Sequence, residues 1–307
     1  MKPKKKGIRG IIGILLLLFI LSFGISLFFS EDLTINKGNV LVIPIKGIIL
    51  ADDTGGFGPD IASSSEIVAD IEDAGENDDI IAVVFEINSP GGSAVASDEI
   101  GQAIKKLNKT TVSYIREVGA SGGYWIASST DRVYANRMSI TGSIGVIASY
   151  LQFSGFLEKH NIEYERLVSG KYKDIGSPFK DLSDVERLIF QKSLDAIYDE
   201  FVKEVAENRG LEVKVVEKLA TGQIFVGSEA RELGLIDELG GKEDVKEFLE
   251  KDLNVTIEMF KYEKKQGLIE VLSQLFSGNS YQIGQGIGNA LTDRSVERSV
   301  PVISILS

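Results

Sequence analysis

The sequence contains no cysteine and a single histidine, His160, among 307 residues. Without cysteine there are no disulfide bonds, thiol nucleophiles or thiolate-ligated metals. Most zinc sites use two or three imidazoles, so one histidine excludes them as well. We therefore expect no metal ion and no bound cofactor. His160 lies in the charged stretch LEKHNIEYE, which is typical of a solvated helix end, so we expect it at the surface rather than in a catalytic triad.

Charged residues are absent from positions 10–30, which include the apolar stretch IIGILLLLFILSFGISLFF. As a helix, this segment would span the hydrocarbon core of a bilayer, roughly 30 Å at about 1.5 Å per residue. A cleaved signal peptide is the alternative, but the apolar stretch is long and no A-x-A-like site follows it. The segment before it is basic and Glu31 and Asp32 follow it. This asymmetry predicts a single-pass protein of the cell membrane, with a cytoplasmic N-terminus and an extracytoplasmic catalytic domain.

Basic residues are scarce beyond the first nine positions. The formal net charge is −12, although five of the 33 lysines and arginines precede residue 10. No basic stripe suited to a phosphate backbone is present, so we expect no nucleic-acid partner. The hydrophobic content of 43% is sufficient for a substantial core.

Apolar segments with strand and helix patterns alternate after the first 36 residues. This alternation favours parallel strands joined by right-handed crossovers, an α/β architecture. The predicted strands are 39–50, 80–87 and 110–118, and the predicted helices are 63–74, 94–107 and 123–129.

A longer helix is predicted over residues 183–210. Ser183 and Glu186 match a capping box, and Gly210 marks the end of the helix. Six apolar residues of this helix fall on one helical face. They are Val185, Leu188, Ile189, Ile197, Phe201 and Val205.

The chain is predicted to divide into three parts. Residues 1–36 form the basic tip, the anchor and a linker, residues 37–262 form the main domain, and residues 263–307 form a C-terminal extension. The extension could pack on the domain, lie on the membrane or mediate assembly, with packing as the default. Its apolar end, PVISILS, could also occupy a peptide-binding groove as an autoinhibitory or self-processed segment.

The segment INSPGGS, residues 87–93, ends the second predicted strand. A Pro-Gly-Gly turn can expose the amides of Gly91 and Gly92, and two exposed N–H groups can form an oxyanion hole. An ordinary turn is the alternative for so short a motif. Ser89 and Ser93 flank the glycines and are predicted to be turn residues.

Ser121 lies in VGASGGYWIA, where its spacing to the glycines matches the G-x-S-x-G pattern of a nucleophile elbow. A tight strand-to-helix turn is the alternative. Because no suitable histidine follows, a nucleophilic serine would need another base, and a lysine can serve when burial favours its neutral form. Lys171 and Lys173 lie in SGKYKDIGSPF beside glycine, proline and aromatic residues. Two solvated loop lysines are the alternative.

Together these segments resemble signal peptide peptidases of the SppA type, which are membrane-anchored serine peptidases with a Ser-Lys dyad. The resemblance covers about residues 39–250. It rests on NSPGG at 88–92, ASGGYW at 120–125, TGSIGV at 141–146, SGKYKDIGSPF at 169–179 and GQIFVGSEARELGLIDELGG at 222–241.

The resemblance implies a Clp/crotonase-like spiral of ββα units and a role for each site residue. Ser121 would be the nucleophile and Lys173 the general base, whereas Lys171 would not be catalytic. The Gly92 amide would stabilise the oxyanion. Ser143 would orient the lysine amine, although a helix or turn cap is the alternative for this serine.

In this family the serine and the lysine come from neighbouring copies of the domain, and this chain carries one set of motifs. The resemblance therefore implies a homo-oligomeric ring with active sites shared between subunits. The implied substrates are remnant signal peptides and other hydrophobic peptides. Two further alternatives are a crotonase-type acyl-CoA enzyme and an inactive membrane scaffold.

Overall fold

The computed structural model describes residues 15–19, 38–52 and 60–262. The chain divides into two compact units, residues 1–261 and 262–307, and Tyr262 is the one described residue of the second unit. Residues 15–19 are helical. The remainder of the predicted anchor and all of the predicted C-terminal extension, residues 263–307, lie outside the described residues. Within the described ranges, no helix is both long enough and apolar enough to cross a membrane.

The first unit contains a nine-stranded sheet. Its strands are β1 (Val40–Leu50), β2 (Ile61–Ser63), β3 (Ala82–Gly92), β4 (Thr110–Ala120), β5 (Arg132–Ala135), β6 (Ile140–Gly142), β7 (Ile224–Val226), β8 (Glu238–Leu239) and β9 (Met259–Phe260).

The sheet is almost entirely parallel. Its main path runs β2-β1-β3-β4-β5-β8, with β9 beside β1 and β6 beside β4, and only β7 runs antiparallel, against β6. Parallel strands require crossover connections, and the helices of the chain supply most of them. The architecture confirms the predicted α/β class and is consistent with the Clp/crotonase-like fold.

Eight labelled helices accompany the strands in the described part of the chain. They are α1 (Ser64–Glu76), α2 (Ala94–Lys106), α3 (Gly122–Ser128), α4 (Ser154–Lys159), α5 (Asp184–Arg209), α6 (Val213–Leu219), α7 (Gly227–Glu232) and α8 (Lys242–Leu253).

The core has two layers because side chains alternate between the faces of each strand. On one face, Val245 and Leu249 of α8 pack with strand residues such as Val84. Phe85 follows Val84 and points to the opposite face, and it is fully buried. Helices α1, α2 and α3 also bury apolar side chains, namely Ile67, Ile71, Ile100, Ile104, Tyr124, Trp125 and Ile126.

Helix α5 begins and ends as predicted. Ser183 and Glu186 form the capping box, and Gly210 ends the helix in the left-handed conformation. The C-terminal half of α5 packs on the body of the domain. There the ring of Phe201 stacks on Trp125 with 4.7 Å between centroids, and Val205 is fully buried.

The N-terminal half of α5 does not pack in the same way. Four of the six residues on the predicted apolar face, Val185, Leu188, Ile189 and Ile197, are exposed. They belong to a longer segment, residues 145–200, which we call the arm. Glu186 is the single buried residue of the arm. The amphipathic pattern is therefore real, but among the described residues its first half stays exposed.

Candidate active site

Ser121 occupies a sharp turn between β4, which ends at Ala120, and α3, which begins at Gly122. Its backbone has φ 52° and ψ −122°, a combination that residues other than glycine rarely adopt. The carbonyl of Ser121 accepts hydrogen bonds from the amides of Tyr124 and Trp125, both at 2.9 Å. A strained strand-to-helix turn with a partly exposed serine at its tip is the geometry of a nucleophile elbow.

The Pro-Gly-Gly turn at the end of β3 packs directly against this elbow. A β-carbon placed on Gly91 would lie 2.8 Å from Ser121 Cβ and 2.7 Å from the Gly122 nitrogen. Gly91 also has φ +101°, which glycine adopts without strain. The fold therefore brings the first two motifs into contact, and it does so at a separation that requires glycine.

The amide of Gly92 points toward the elbow. The next amide, that of Ser93, donates to the Ile49 carbonyl of β1 at 2.8 Å. Successive amides of a strand alternate in direction, so the Gly92 N–H is directed away from β1. On that side lies Gly122, where a β-carbon would be 3.4 Å from the Gly92 nitrogen. The Gly92 N–H is therefore on the side of β3 where Gly122, the residue after Ser121, lies.

The amide of Gly91 is used differently from the prediction. Its N–H donates to Ser89 Oγ at 3.1 Å inside the protein, so it holds the turn together instead of facing a substrate. The amide of Gly122 belongs to the first residue of α3, so it has no partner within the helix. The G-x-S-x-G pattern already carried this signal, since the residue after the serine supplies an oxyanion amide in nucleophile elbows.

Ser143 lies beside Ser121. Strands β4 and β6 pair in parallel, with Ala120 opposite Gly142. Ser121 directly follows Ala120 and Ser143 directly follows Gly142, so the two serines are neighbours at the ends of these strands. The amide of Ser121 donates to the Gly142 carbonyl at 2.8 Å. Ser143 is partly exposed and, like Ser121, has a positive φ, 51°. A serine with a positive φ thus follows each of these two neighbouring strands.

Lys173 lies in the arm, in a turn where its amide donates to the Gly170 carbonyl at 3.1 Å. The side chains of Lys173 and Lys171 are both exposed. Among the residues that the structure describes, no hydrogen bond or ion pair joins Lys173 to Ser121 or Ser143. The fold of one chain therefore assembles the serine and the amides but does not bring the predicted base to them.

Comparison with known proteins decides the family. The profile described as Peptidase family S49 matches residues 103–256. The chain belongs to peptidase family S49. The matched range contains the Ser121 elbow, Ser143 and Lys173, and S49 peptidases are serine hydrolases.

Individual relatives support the same assignment. A Methanocaldococcus jannaschii protein named as a protease is 36% identical over 226 residues, which are 72% of this chain and 71% of the relative. An Enterococcus faecium protein named as signal peptide peptidase SppA is 33% identical over 232 residues, 74% of this chain and 67% of the relative. The chloroplastic serine protease SPPA of Arabidopsis thaliana is 32% identical over 181 residues, 58% of this chain but 27% of that longer protein. The resemblance to SppA-type peptidases is thereby confirmed.

An ion-pair network orders the part of the S49 domain that carries Lys173. Arg166 and Lys180 both contact the carboxylate of Asp174, and Lys180 also pairs with Glu186. Hydrogen bonding to Arg166, with a further contribution from Lys180, lowers the pKa of Asp174 to about 2. The hydrogen bonds of Glu186 to Lys180 and Ser183 likewise lower the pKa of Glu186 to about 2. Asp174 directly follows Lys173, so this network fixes the turn on which the lysine lies.

His160 lies at the surface of the chain. It follows α4, is exposed, and its ring lies 4.4 Å from the Phe156 ring between centroids. The prediction that it is a surface residue is confirmed. Among the described residues there is also no group of three or more histidine, aspartate or glutamate side chains placed to hold a metal ion.

Proposed function

We propose that this chain is a membrane-anchored serine endopeptidase. Its substrates would be hydrophobic or unstructured peptides, such as remnant signal peptides. Ser121 is the nucleophile, Lys173 is the general base, and the amides of Gly92 and Gly122 stabilise the oxyanion. The main support is the elbow itself, in which a strained serine lies against the Gly91–Gly92 turn within a chain of family S49.

The proposed reaction proceeds through an acyl-enzyme. The neutral amine of Lys173 removes the proton of Ser121 Oγ as this oxygen attacks the carbonyl carbon of a peptide bond. The carbonyl oxygen becomes an oxyanion that accepts hydrogen bonds from the Gly92 and Gly122 amides. The C–N bond then breaks, and the protonated lysine donates its proton to the leaving amine. Water, deprotonated by the same lysine, hydrolyses the ester and regenerates Ser121.

The lysine is proposed to come from a neighbouring copy. Lys173 is exposed within one chain, whereas a general-base lysine needs apolar surroundings that favour its neutral form. The arm also exposes more large apolar side chains than a monomer usually leaves in water. They are Ile147, Tyr150, Leu151, Phe153, Phe156, Ile162, Tyr164, Leu167, Val168, Tyr172, Phe179, Val185, Leu188, Ile189 and Ile197.

A contact between the arm of one copy and the elbow of the next is heterologous, because the two surfaces differ. Such contacts close into a ring when the rotation between copies permits it. Each ring contact would bury apolar side chains of the arm and complete one active site. Ser143, beside Ser121, would then accept or donate a hydrogen bond to the arriving lysine amine and orient it.

The proposed location follows from the N-terminal sequence. The basic tip and the uncharged segment 10–30 support a single membrane span with a cytoplasmic N-terminus. The domain would then lie outside the cytoplasm, close to the membrane where cleaved signal peptides remain. The acyl-CoA alternative is set aside, because the chain belongs to a peptidase family.

Complementation between two inactive variants tests this function most directly. The full chain, Ser121→Ala and Lys173→Ala are assayed on an unstructured fluorogenic peptide, separately and then as equal mixtures assembled together. The full chain should cleave the peptide and each variant alone should not. Random assembly should restore about a quarter of the parent activity, since one in four contacts then joins an intact serine to an intact lysine.

Lys171→Ala is the matched control, because it removes an exposed lysine two positions away and should leave the activity at the parent level. A mixture that stays inactive, with both variants folded and assembled, would place the two residues in the same copy or remove Lys173 from the mechanism. A parent chain that cleaves no peptide and does not react with a fluorophosphonate would instead support the inactive-scaffold alternative.

A further inference from the structure

Strand β3 loses its regular pairing on both sides immediately before the oxyanion turn. On the β1 side the register shifts between Lys46 and Ile48, and on the β4 side it shifts between Ile87 and Ser89 of β3. At such irregularities backbone groups lose their usual partners, so other groups must satisfy them. Asn88 and Ser89 lie at this position.

Ser89 uses its hydroxyl to join the turn to β1. Its side chain is fully buried, and its Oγ donates to the Gly47 carbonyl at 2.6 Å. The same oxygen accepts the amide of Gly91 at 3.1 Å. Gly47 lies at the register shift with φ +79°, so its carbonyl is directed by the irregularity itself. The Ser89 hydroxyl therefore connects Gly47 of β1 to Gly91, the residue that precedes Gly92.

The backbone of Ser89 also contacts the helix that follows the nucleophile. A β-carbon on Gly123 would lie 2.8 Å from the Ser89 carbonyl oxygen, so α3 and Ser89 pack without space between them. Any displacement of Ser89 would move the Gly91–Gly92 turn relative to Ser121.

Asn88 plays the corresponding part on the β4 side. Its Oδ1 accepts the amide of Val118 at 3.1 Å, in the stretch of β4 where pairing with β3 is interrupted. Val118 is three residues before Ser121. The side chain thus replaces a missing strand contact in the segment that leads to the nucleophile.

We infer that Asn88 and Ser89 are positioning residues, which set the distance between Ser121 and the Gly92 amide. This inference rests on the proposed function. It changes the sequence-based interpretation of Ser89 as an ordinary turn residue. Asn88 holds the end of β4 that leads to Ser121, and Ser89 holds the turn that carries the Gly92 amide. The two residues are adjacent in β3.

The test compares Ser89→Ala with Ser113→Ala in the full chain. Ser113 is also fully buried, and its hydroxyl bonds to the Ala127 carbonyl at 3.1 Å and to the Thr130 hydroxyl at 3.0 Å. Both variants lose a buried hydroxyl with two hydrogen bonds, so they should lose similar thermal stability. Ser89→Ala alone should lower kcat, by roughly tenfold to a hundredfold, since displacement of an oxyanion donor by an ångström has an effect of this size.

The KM of Ser89→Ala should stay within about threefold of the parent value, because the amide contact strengthens in the transition state. Its affinity for a peptide boronate, which forms a tetrahedral adduct, should fall in parallel with kcat. Asn88→Ala should show the same pattern. If Ser89→Ala does not fold, Ser89→Cys provides the same comparison with a side chain of similar size and weak hydrogen bonding.

Parent-level kcat in a folded Ser89→Ala would overturn the inference. Equal losses of kcat in Ser89→Ala and Ser113→Ala would also overturn it, because they would indicate a general loss of stability. Neither result would affect the proposed function, which is tested separately by peptide cleavage in the parent chain and by the mixture of Ser121→Ala and Lys173→Ala.

Discussion

The hydroxyl of Ser97 lies directly beside Gly122. A β-carbon on Gly122 would be 2.2 Å from Ser97 Oγ, far closer than two such atoms can approach. Ser97 is fully buried, and its hydroxyl donates to the Ser93 carbonyl at 2.9 Å, so it cannot rotate away freely. The side chain of Ser97 in α2 therefore restricts the position of Gly122, the residue after the proposed nucleophile.

This contact predicts that Gly122→Ala inactivates the enzyme. The added methyl group would displace the first turn of α3 and with it an oxyanion amide, so kcat should fall by at least about a hundredfold. Kinetics on the fluorogenic peptide measure the loss. The double variant Ser97→Ala/Gly122→Ala removes the clashing oxygen and should recover part of the activity. Full activity in Gly122→Ala alone would contradict this account of the site.

Two substitutions of Ser143 give a second prediction, because together they distinguish the role of the hydroxyl from the effect of the backbone conformation. Its φ of 51° suits glycine, so Ser143→Gly removes the hydroxyl and relaxes the backbone, whereas Ser143→Ala removes only the hydroxyl. If the hydroxyl orients the lysine, both variants should lose roughly tenfold to a hundredfold in kcat/KM. Ser143→Gly should also unfold at the higher temperature. Parent activity in Ser143→Gly would show that the serine is only a turn residue.

We predict that ionisation of Glu86 makes the stability of the protein depend on pH between about 4.5 and 2. The carboxylate is 5% exposed, and Lys261, Arg116 and Lys46 approach it at 2.6, 3.1 and 3.5 Å. Burial alone raises the pKa of Glu86, but hydrogen bonds from Lys261 and Tyr114 and the nearby positive charges lower it to about 2. Because the ordinary value is 4.5, the stabilisation is complete above that pH and is lost as the pH falls toward 2.

Glu86→Gln should therefore lower the free energy of unfolding by about 2–3 kcal/mol at pH 7. Between pH 4.5 and 2 the variant should lose less stability than the parent, and the two curves should converge. Urea unfolding at several pH values measures both effects. Glu200→Gln, which removes a largely exposed carboxylate paired with Lys203, should leave the curve almost unchanged. An unchanged acid dependence in Glu86→Gln would assign it to other groups.

We predict that replacing Arg166 lowers the activity without changing the stability of the hydrophobic core. Its guanidinium bonds to both carboxylate oxygens of Asp174, with Nη2 at 2.7 Å from Oδ1, and so holds the turn that carries Lys173. Arg166→Ala should lower kcat/KM by roughly tenfold to a hundredfold while the main unfolding transition stays in place. Arg166→Lys should restore little, because an ammonium group cannot form the two-pronged contact.

The pKa of Asp174, about 2, makes this prediction independent of pH over the working range, since the carboxylate stays ionised above about pH 4. Lys203→Ala removes another exposed ion pair of the domain and serves as the control. A change in the shape of the acid limb of the pH–rate profile in Arg166→Ala would show that the pair acts through titration instead of through position.

Local signals in the sequence predicted the elements that local physics determines. The capping box of Ser183 and Glu186 and the stop at Gly210 depend on a few neighbouring residues, and the structure reproduces them. The alternation of apolar segments similarly predicted the parallel α/β sheet. The close approach of the two glycine motifs was implied only by the family resemblance, which assigns Ser121 and the Gly92 amide to one site.

Two features of the site could not be predicted in this way. The Gly91 amide is turned inward because the pairing of β3 shifts beside Ser89, and a register shift depends on both neighbouring strands. Leu188 and Ile189 follow the helical period of buried residues, yet they are exposed. Periodicity shows that a helix has an apolar face, but it does not show whether the same chain or another molecule covers that face.

The backbone conformation of Ser121 lowers the stability of the fold at the residue that is proposed to carry out catalysis. A serine at φ 52° and ψ −122° destabilises the fold by roughly 1–3 kcal/mol relative to a residue that accepts this conformation freely. Ser121→Gly accepts it and lacks the nucleophile, so the inert protein should outlast the active one on heating, whereas Ser121→Ala should not. Selection for heat resistance alone would favour glycine here, whereas under the proposed function selection for hydrolysis preserves the serine.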